Sequence, residues 1–136
     1  MKKIYFLVLL SSVIFACKKD KNNAQLSGDY TGTFRTLVQG KLVMTDFDVS
    51  LTGDQFNVTK GSKIGSGSYH TGSNNQVMFQ DEIPRSGEYS WNLILSGNYT
   101  YLIKGDSLIL TKNLKPGGPL ELIEYNYYQY RLKKIK

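Results

Sequence analysis

Apolar residues recur at every second position from Gly28 onward, and the breaks between these runs fall on Gly, Asn, Asp and Pro. In the first run the even positions Tyr30, Phe34 and Val38 share one face, and in the second run, 41–51, the odd positions share one. A period of two is typical of half-buried antiparallel strands, and no window of the sequence has a sustained helical period. The pattern therefore predicts an all-β domain.

Turn and loop signals divide this domain into about eight strands. Short turns are expected at Gln39-Gly40, Gly53-Asp54, 72–75 and Gly105-Asp106, and longer loops at 60–68, 84–87 and 116–119. The segment 91–95 is expected to lead into the strand of Tyr99, and the last strand is expected at 123–133. The order of these strands and turns favours an antiparallel up-and-down barrel over a sandwich, because closure removes the exposed edges of the sheet.

A short targeting segment precedes the domain. Lys2 and Lys3 are followed by an apolar run, 4–16, that ends directly before Cys17. The run is shorter than the roughly 20 residues that a membrane-spanning helix needs, so it predicts a cleaved signal peptide over 1–16. The alternative is a free cysteine buried in a short hydrophobic helix.

The segment Val13-Ile14-Phe15-Ala16-Cys17 resembles the bacterial lipobox, with Ile14 at the aliphatic position three residues before the cysteine. This resemblance implies that Cys17 is lipidated, with palmitate among the chains, and becomes the mature N-terminus. It implies a protein anchored to the outer membrane by lipid, on the periplasmic or the outer surface. The polar stretch 17–25 then predicts a flexible tether, and the folded domain is expected over 26–136.

Charge and cysteine content narrow the possible partners. The net charge is +6, and basic residues cluster at both ends of the chain. Basic ends are commonly solvated or in contact with lipid headgroups, and export argues against nucleic acid as a partner. The sequence has one cysteine, so lipidation of that residue leaves no disulfide, and the fold must be stabilised by its core.

Several segments resemble the lipocalin-like envelope lipoproteins of Gram-negative bacteria, which are small calycin-type barrels behind a lipobox. They are LSGDYTGTF (26–34), LSGNYTY (95–101), GDSLIL (105–110) and YRLK (130–133), together with Trp91. Lipocalins usually carry a Gly-x-Trp triplet on the first strand, and here Tyr30 occupies the tryptophan position. The resemblance implies a barrel that takes a ligand at its open end.

Catalytic or metal chemistry finds little support in the sequence. His70 is the one histidine, and a metal site needs three or four converging ligands. Asp46 and Asp48 lie two apart on a strand and are expected on its solvated outer face, whereas Asp81 and Glu82 are expected at a rim, with calcium or ligand binding as an alternative. We therefore expect a surface histidine and a non-enzymatic protein without a cofactor.

The ten tyrosines, many on the same faces as Phe and Leu, have two interpretations. They fill the core, or they line a cavity for a small, partly apolar ligand. The candidate lining residues are Tyr30, Phe34, Phe47, Trp91, Tyr99 and Tyr101. The alternative function is an interaction or inhibitor protein of the cell envelope that acts through rim loops at 60–67, 84–87 or 116–119.

Overall fold

The computed structural model describes residues 25–38, 40–87, 93–113 and 128–135. The strands in these ranges are β1 (Gly28–Val38), β2 (Lys41–Thr52), β3 (Gln55–Lys60), β4 (Ser66–Thr71), β5 (Gln76–Asp81), β6 (Gly97–Lys104), β7 (Ser107–Lys112) and β8 (Gln129–Lys134). Each strand pairs antiparallel with the next, and β8 pairs with β1, so the sheet closes on itself. The predicted all-β up-and-down barrel of eight strands is confirmed.

Some sequence-based expectations fall on residues outside the described ranges. These are the signal peptide over 1–16, Cys17 with most of the tether, Trp91, the loop at 116–119, and the start of the expected last strand. Within the described ranges, no helix has the length and apolar character that crossing a bilayer requires.

Burial alternates along each strand, as the wall of a small barrel requires. In β6, Tyr99 and Tyr101 are buried, whereas the intervening Thr100 is exposed. The inward faces predicted for β1 and β2 are confirmed, because Tyr30 and Phe47 are both buried. The core also contains Leu26, Phe34, Leu51, Phe56, Tyr69, Val77, Phe79, Leu108, Leu110, Tyr130 and Leu132.

Tight turns form where the sequence predicts them. Gly53 and Gly105 adopt positive φ values of 63° and 58° in the β2–β3 and β6–β7 turns, a conformation that glycine adopts without steric cost. Asn74 and Asn75 occupy the same region in the β4–β5 turn, with φ values of 56° and 55°. Asparagine tolerates this region better than most residues, so this turn also follows from its sequence.

The two ends of the barrel differ in the length of their connections. The short turns after β2, β4 and β6 all lie at one end, which we name the closed end, because successive antiparallel strands alternate in direction. At the other end, the open end, longer segments follow β3, β5 and β7. The predicted loop at 84–87 and the middle of the predicted loop at 60–68, residues 61–65, belong to these segments and lie at the open end. The ends of the latter prediction were wrong, because Lys60 closes β3 and β4 already begins at Ser66.

The β1–β2 hairpin projects beyond the barrel wall at the open end. β1 pairs with β2 along its whole length, but its pairing with β8 stops at Arg35, and β2 pairs with β3 only from Asp48 onward. The distal part, residues 37–44, is named here the projecting hairpin. This overhang explains why Val43, predicted to lie on the inward face, is 45% exposed.

One segment lies as expected, and one strand end differs from expectation. Residues 93–95 lead into β6, which begins at Gly97, as a bent segment. Ile94 and Leu95 in this segment are nevertheless buried. β8 begins at Gln129 and continues to Lys134, one residue beyond the end expected from the sequence.

Candidate functional site

The barrel interior contains all the candidate lining residues that the structure describes. Tyr30, Phe34, Phe47, Tyr99 and Tyr101 are buried and face inward. The sixth candidate, Trp91, lies outside the described residues.

These candidates lie at different heights in the barrel. Tyr30 lies toward the closed end, where it pairs with Lys134 near the end of β8. Tyr99 lies toward the open end, where it pairs with Lys112 at the end of β7. Phe34 and Phe47 lie between them and both pack on Tyr130. The structure thus gathers Phe34, Phe47 and Tyr99 around one tyrosine and places Tyr30 apart.

Aromatic rings contact one another across the interior. The Phe34 and Tyr130 rings stack with centroids 4.4 Å apart, and the Tyr99 ring meets Tyr130 edge-on at 5.8 Å. The series continues from Tyr99 to Phe79 at 5.8 Å and from Phe79 to Phe56 at 5.4 Å. Such distances are typical of favourable ring pairs. Side chains therefore fill the middle of the barrel, which favours core packing for these rings.

A lysine faces inward above this ring layer. Lys112 follows Leu108 and Leu110 on the buried face of β7 and ends that strand at the open end. Its ammonium lies over the rings of Tyr99 and Tyr128, 5.7 and 5.8 Å from their centroids. A cation over an aromatic face is stabilised by the ring quadrupole. Desolvation by burial lowers the pKa of Lys112.

Lys112 has no acidic partner among the residues that the structure describes. The ion pairs there join Lys60 to Asp46, Arg85 to Asp81 and Lys133 to Asp106. The half-buried ammonium thus lies in the described part of the barrel with aromatic neighbours and without a counter-charge.

Tyr130 carries a buried hydroxyl in the same cluster. The side chain is fully buried, and among the described residues its hydroxyl forms no geometrically acceptable hydrogen bond. The Tyr99 hydroxyl lies within hydrogen-bonding reach of the Tyr130 hydroxyl, and this contact adds to the rise in the pKa of Tyr130, but the angles fall short of a well-formed hydrogen bond. Burial raises the pKa of Tyr130 well above its usual range, and burial likewise raises the pKa of Tyr99. Both phenols therefore stay neutral at physiological pH and can donate hydrogen bonds.

An ion pair ties two open-end segments together. Arg85 Nε donates to Asp81 Oδ2 at 2.6 Å, and Arg85 Nη2 donates to the Ile64 carbonyl at 2.7 Å. Asp81 Oδ1 also accepts from the Ser66 backbone at 3.2 Å. The side chains of the pair are 5% and 4% exposed. Asp81 thus lies at the rim as expected, and its carboxylate is occupied by protein donors.

The other candidates for polar chemistry lie on the outside of the barrel. His70 is exposed on β4, as expected. Asp46 and Asp48 lie on the outer face of β2, also as expected, where Asp46 pairs with Lys60 at 2.9 Å. Glu82 accepts from the Ser68 hydroxyl at 2.8 Å. No group of three or more His, Cys, Asp or Glu side chains converges within the described ranges.

Large apolar side chains are exposed on the rim. Leu42 and Met44 of the projecting hairpin are 51% and 57% exposed, and Ile64 of the β3–β4 segment is 59% exposed. Arg35 faces outward beside Met44, and Lys41 and Lys63 lie close by in the chain. The rim therefore presents apolar groups with basic neighbours.

Lys112, Tyr128 and Tyr130 were not among the predicted lining residues, although both tyrosines belong to the buried core and Lys112 lies beside them. The spacing of Leu108, Leu110 and Lys112 is a readable signal, because a period of two places Lys112 on the buried face. Comparison of the chain with protein-family models, with curated proteins and with solved structures finds no match.

Proposed function

We propose that this protein is a lipid-anchored barrel of the bacterial cell envelope that binds a small, partly apolar ligand at its open end, without catalysis. The observation that carries the proposal is the buried Tyr130 hydroxyl, which lies in an aromatic layer below the open end without a hydrogen-bond partner among the described residues. An unsatisfied buried hydroxyl costs about 1–3 kcal/mol. A ligand with an acceptor group would remove that cost.

The architecture supports the same proposal. Eight-stranded barrels are wide enough to hold one small ligand or to be filled by side chains. Here the rings fill the middle, and the strands with the longer connections end above them. This arrangement favours a shallow site near the rim over a deep central cavity. It is compatible with the resemblance to lipocalin-like envelope lipoproteins.

The anchor is supported by the order of segments along the chain. A basic start, a short apolar run and a lipobox-like segment precede Cys17, and the domain begins near Leu26. Two or more lipid chains on that cysteine would hold the protein on the membrane stably, because each buried methylene contributes about 0.8 kcal/mol. We place the protein on the outer membrane, exposed to the periplasm or the exterior.

Native mass spectrometry of the protein extracted in mild detergent tests ligand binding. We expect a bound small-molecule mass in the wild type and its loss in Thr36→Phe, because Thr36 is buried near the open end and a larger side chain would occupy the site. Thr59→Phe adds the same side chain on the outer face of β3 and should retain the mass. A wild type that carries no bound mass, and takes up none from an envelope lipid extract, contradicts the proposal.

A second candidate function is protein interaction through the rim, and the exposure of Leu42, Met44 and Ile64 favours it. A photo-crosslinking residue at position 42 would then trap one discrete partner in the envelope. The same residue at position 102, equally apolar and exposed on β6, is the matched control. Equal crosslinking from both positions, or none from position 42, contradicts this second function.

A further inference from the structure

The inward-facing end of β7 carries a cation where the strand pattern calls for an apolar residue. Leu108 and Leu110 fill the core, and the next inward position holds Lys112. Its backbone N–H donates to the Tyr128 carbonyl at 2.9 Å, which holds the lysine beside the start of β8. Partial burial of a charge is unfavourable unless the charge is paired. The described residues supply rings and no acid to this ammonium.

Tyrosine hydroxyls accompany the cation. Tyr99 lies opposite Lys112 in the β6–β7 register, and the Tyr99 ring meets Tyr130 edge-on. The Tyr130 hydroxyl is fully buried and has no hydrogen-bond partner among the described residues. The cluster therefore combines one positive charge with a buried hydroxyl that lacks a well-formed hydrogen bond among the described residues.

Apolar groups lie below and beside the cluster of Lys112, Tyr99 and Tyr130. The Phe34 ring lies 6.1 Å from the Tyr128 ring and stacks on Tyr130. Rings fill the middle of the barrel below this cluster, so an apolar group bound here must be compact. Thr36 and Val43 pair at the base of the projecting hairpin and extend the inner wall above Phe34.

We infer that the open end binds a small amphipathic monoanion, a carboxylate joined to a compact apolar body, with Lys112 as the cationic partner and Tyr130 as a hydroxyl donor. One ammonium matches one negative charge, which favours a carboxylate over a phosphate dianion. The apolar body lies against Phe34 and the inner wall of the hairpin. This inference rests on the proposed ligand-binding function and names the chemical class of the ligand.

The test compares two probes of one shape, 4-phenylbutyrate and its uncharged amide, by calorimetric titration of the full-length protein in detergent micelles, with micelles alone subtracted. We expect the carboxylate to bind about tenfold more tightly than the amide, because a hydrogen bond to a charged group contributes more than a neutral one. Lys112→Met should remove this preference. Lys104→Met, a change at an exposed lysine of β6, should leave the preference intact.

Equal affinity of the wild type for both probes overturns the anion inference and leaves the ligand-binding function standing. If neither probe binds, the result counts against both the anion inference and the ligand-binding function.

Discussion

Gly32 lies so close to β8 that a Cβ atom at position 32 would stand 2.0 Å from the Arg131 carbonyl oxygen. The two residues belong to the pair of strands, β1 and β8, that closes the barrel. No real Cβ can occupy that space, so any other residue at position 32 forces the two backbones apart. We expect Gly32→Ala to destabilise the fold by about 2–3 kcal/mol, at the upper end of the range for overpacked sites.

Urea unfolding of the purified protein measures this change. Gly87→Ala is the control, because nothing lies within 4 Å of a Cβ atom at that position. Equal unfolding free energies for the Gly32 and Gly87 variants would show that the β1–β8 contact is not a constraint on the closed sheet.

Replacing one residue of the buried pair Arg85 and Asp81 should lower the unfolding free energy far more than replacing both residues. Arg85→Met alone leaves a desolvated carboxylate, and we expect a loss of about 3–5 kcal/mol in unfolding free energy. Replacing both residues, with Asp81→Leu added, should cost much less than the sum of the two single changes. Lys60→Met breaks an exposed pair with Asp46 and should have little effect. Additive effects of the two buried changes, measured by the same unfolding, would contradict this prediction.

Alkaline titration should show tyrosines that resist ionisation while the barrel is folded. Desolvation, with smaller contributions from Tyr30 and Asp54, raises the pKa of Tyr69 to about 12. Burial also raises the pKa of Tyr30, Tyr99 and Tyr130. The unfolded chain releases its phenolic protons near pH 10, before the folded one does, so stability is intact below about pH 10 and falls as the pH rises through about 12.

Ultraviolet absorbance of phenolate, followed together with circular dichroism, measures this behaviour. Tyr69→Phe should reduce the steepness of the loss of stability above pH 10. Complete ionisation of all tyrosines near pH 10 with the fold still intact would contradict the prediction.

Membrane retention is predicted to depend on Cys17. Cys17→Ser removes the thioether site, and the chain has no other cysteine. In high salt, which screens contacts of Lys18 and Lys19 with anionic headgroups, we expect the wild type to pellet with membranes and the variant to stay in the supernatant. Intact mass spectrometry provides the control for lipidation. A variant that still pellets, or an unlipidated wild type, contradicts the anchor.

Local sequence pattern was enough to predict the strands and their inward faces. A period of two in residues such as Phe47 and Tyr99 reports directly which side of a strand is buried, because the barrel has one apolar side. The turns at Gly53 and Gly105 were equally readable, since positive φ values favour glycine. The inward faces and the turns depend on residues that are neighbours in the chain, so the sequence alone predicts them.

The features that depend on strand register were not predicted. Val43 follows the same alternation as Phe47 yet is exposed, because the stagger between β1, β2 and their outer neighbours leaves the hairpin unsupported. The inward direction of Lys112 could be read from β7 alone. Its placement over Tyr99 and Tyr128 required the alignment of three strands, which the alternating pattern does not encode.

The pairing of β1 with β8 also governs when the barrel can form. Tyr30 aligns with Lys134, and the Ile135 backbone donates to the Asp29 carbonyl at 2.8 Å, so the seam joins residues that are among the most distant in the described chain. During synthesis or export, β1 emerges long before β8, and its second hydrogen-bonding edge stays unpaired throughout that interval. Non-local pairing of this kind slows folding. The unfinished chain therefore presents an open sheet edge to other nascent chains, so a holding chaperone that covers β1 should increase the yield of closed barrels.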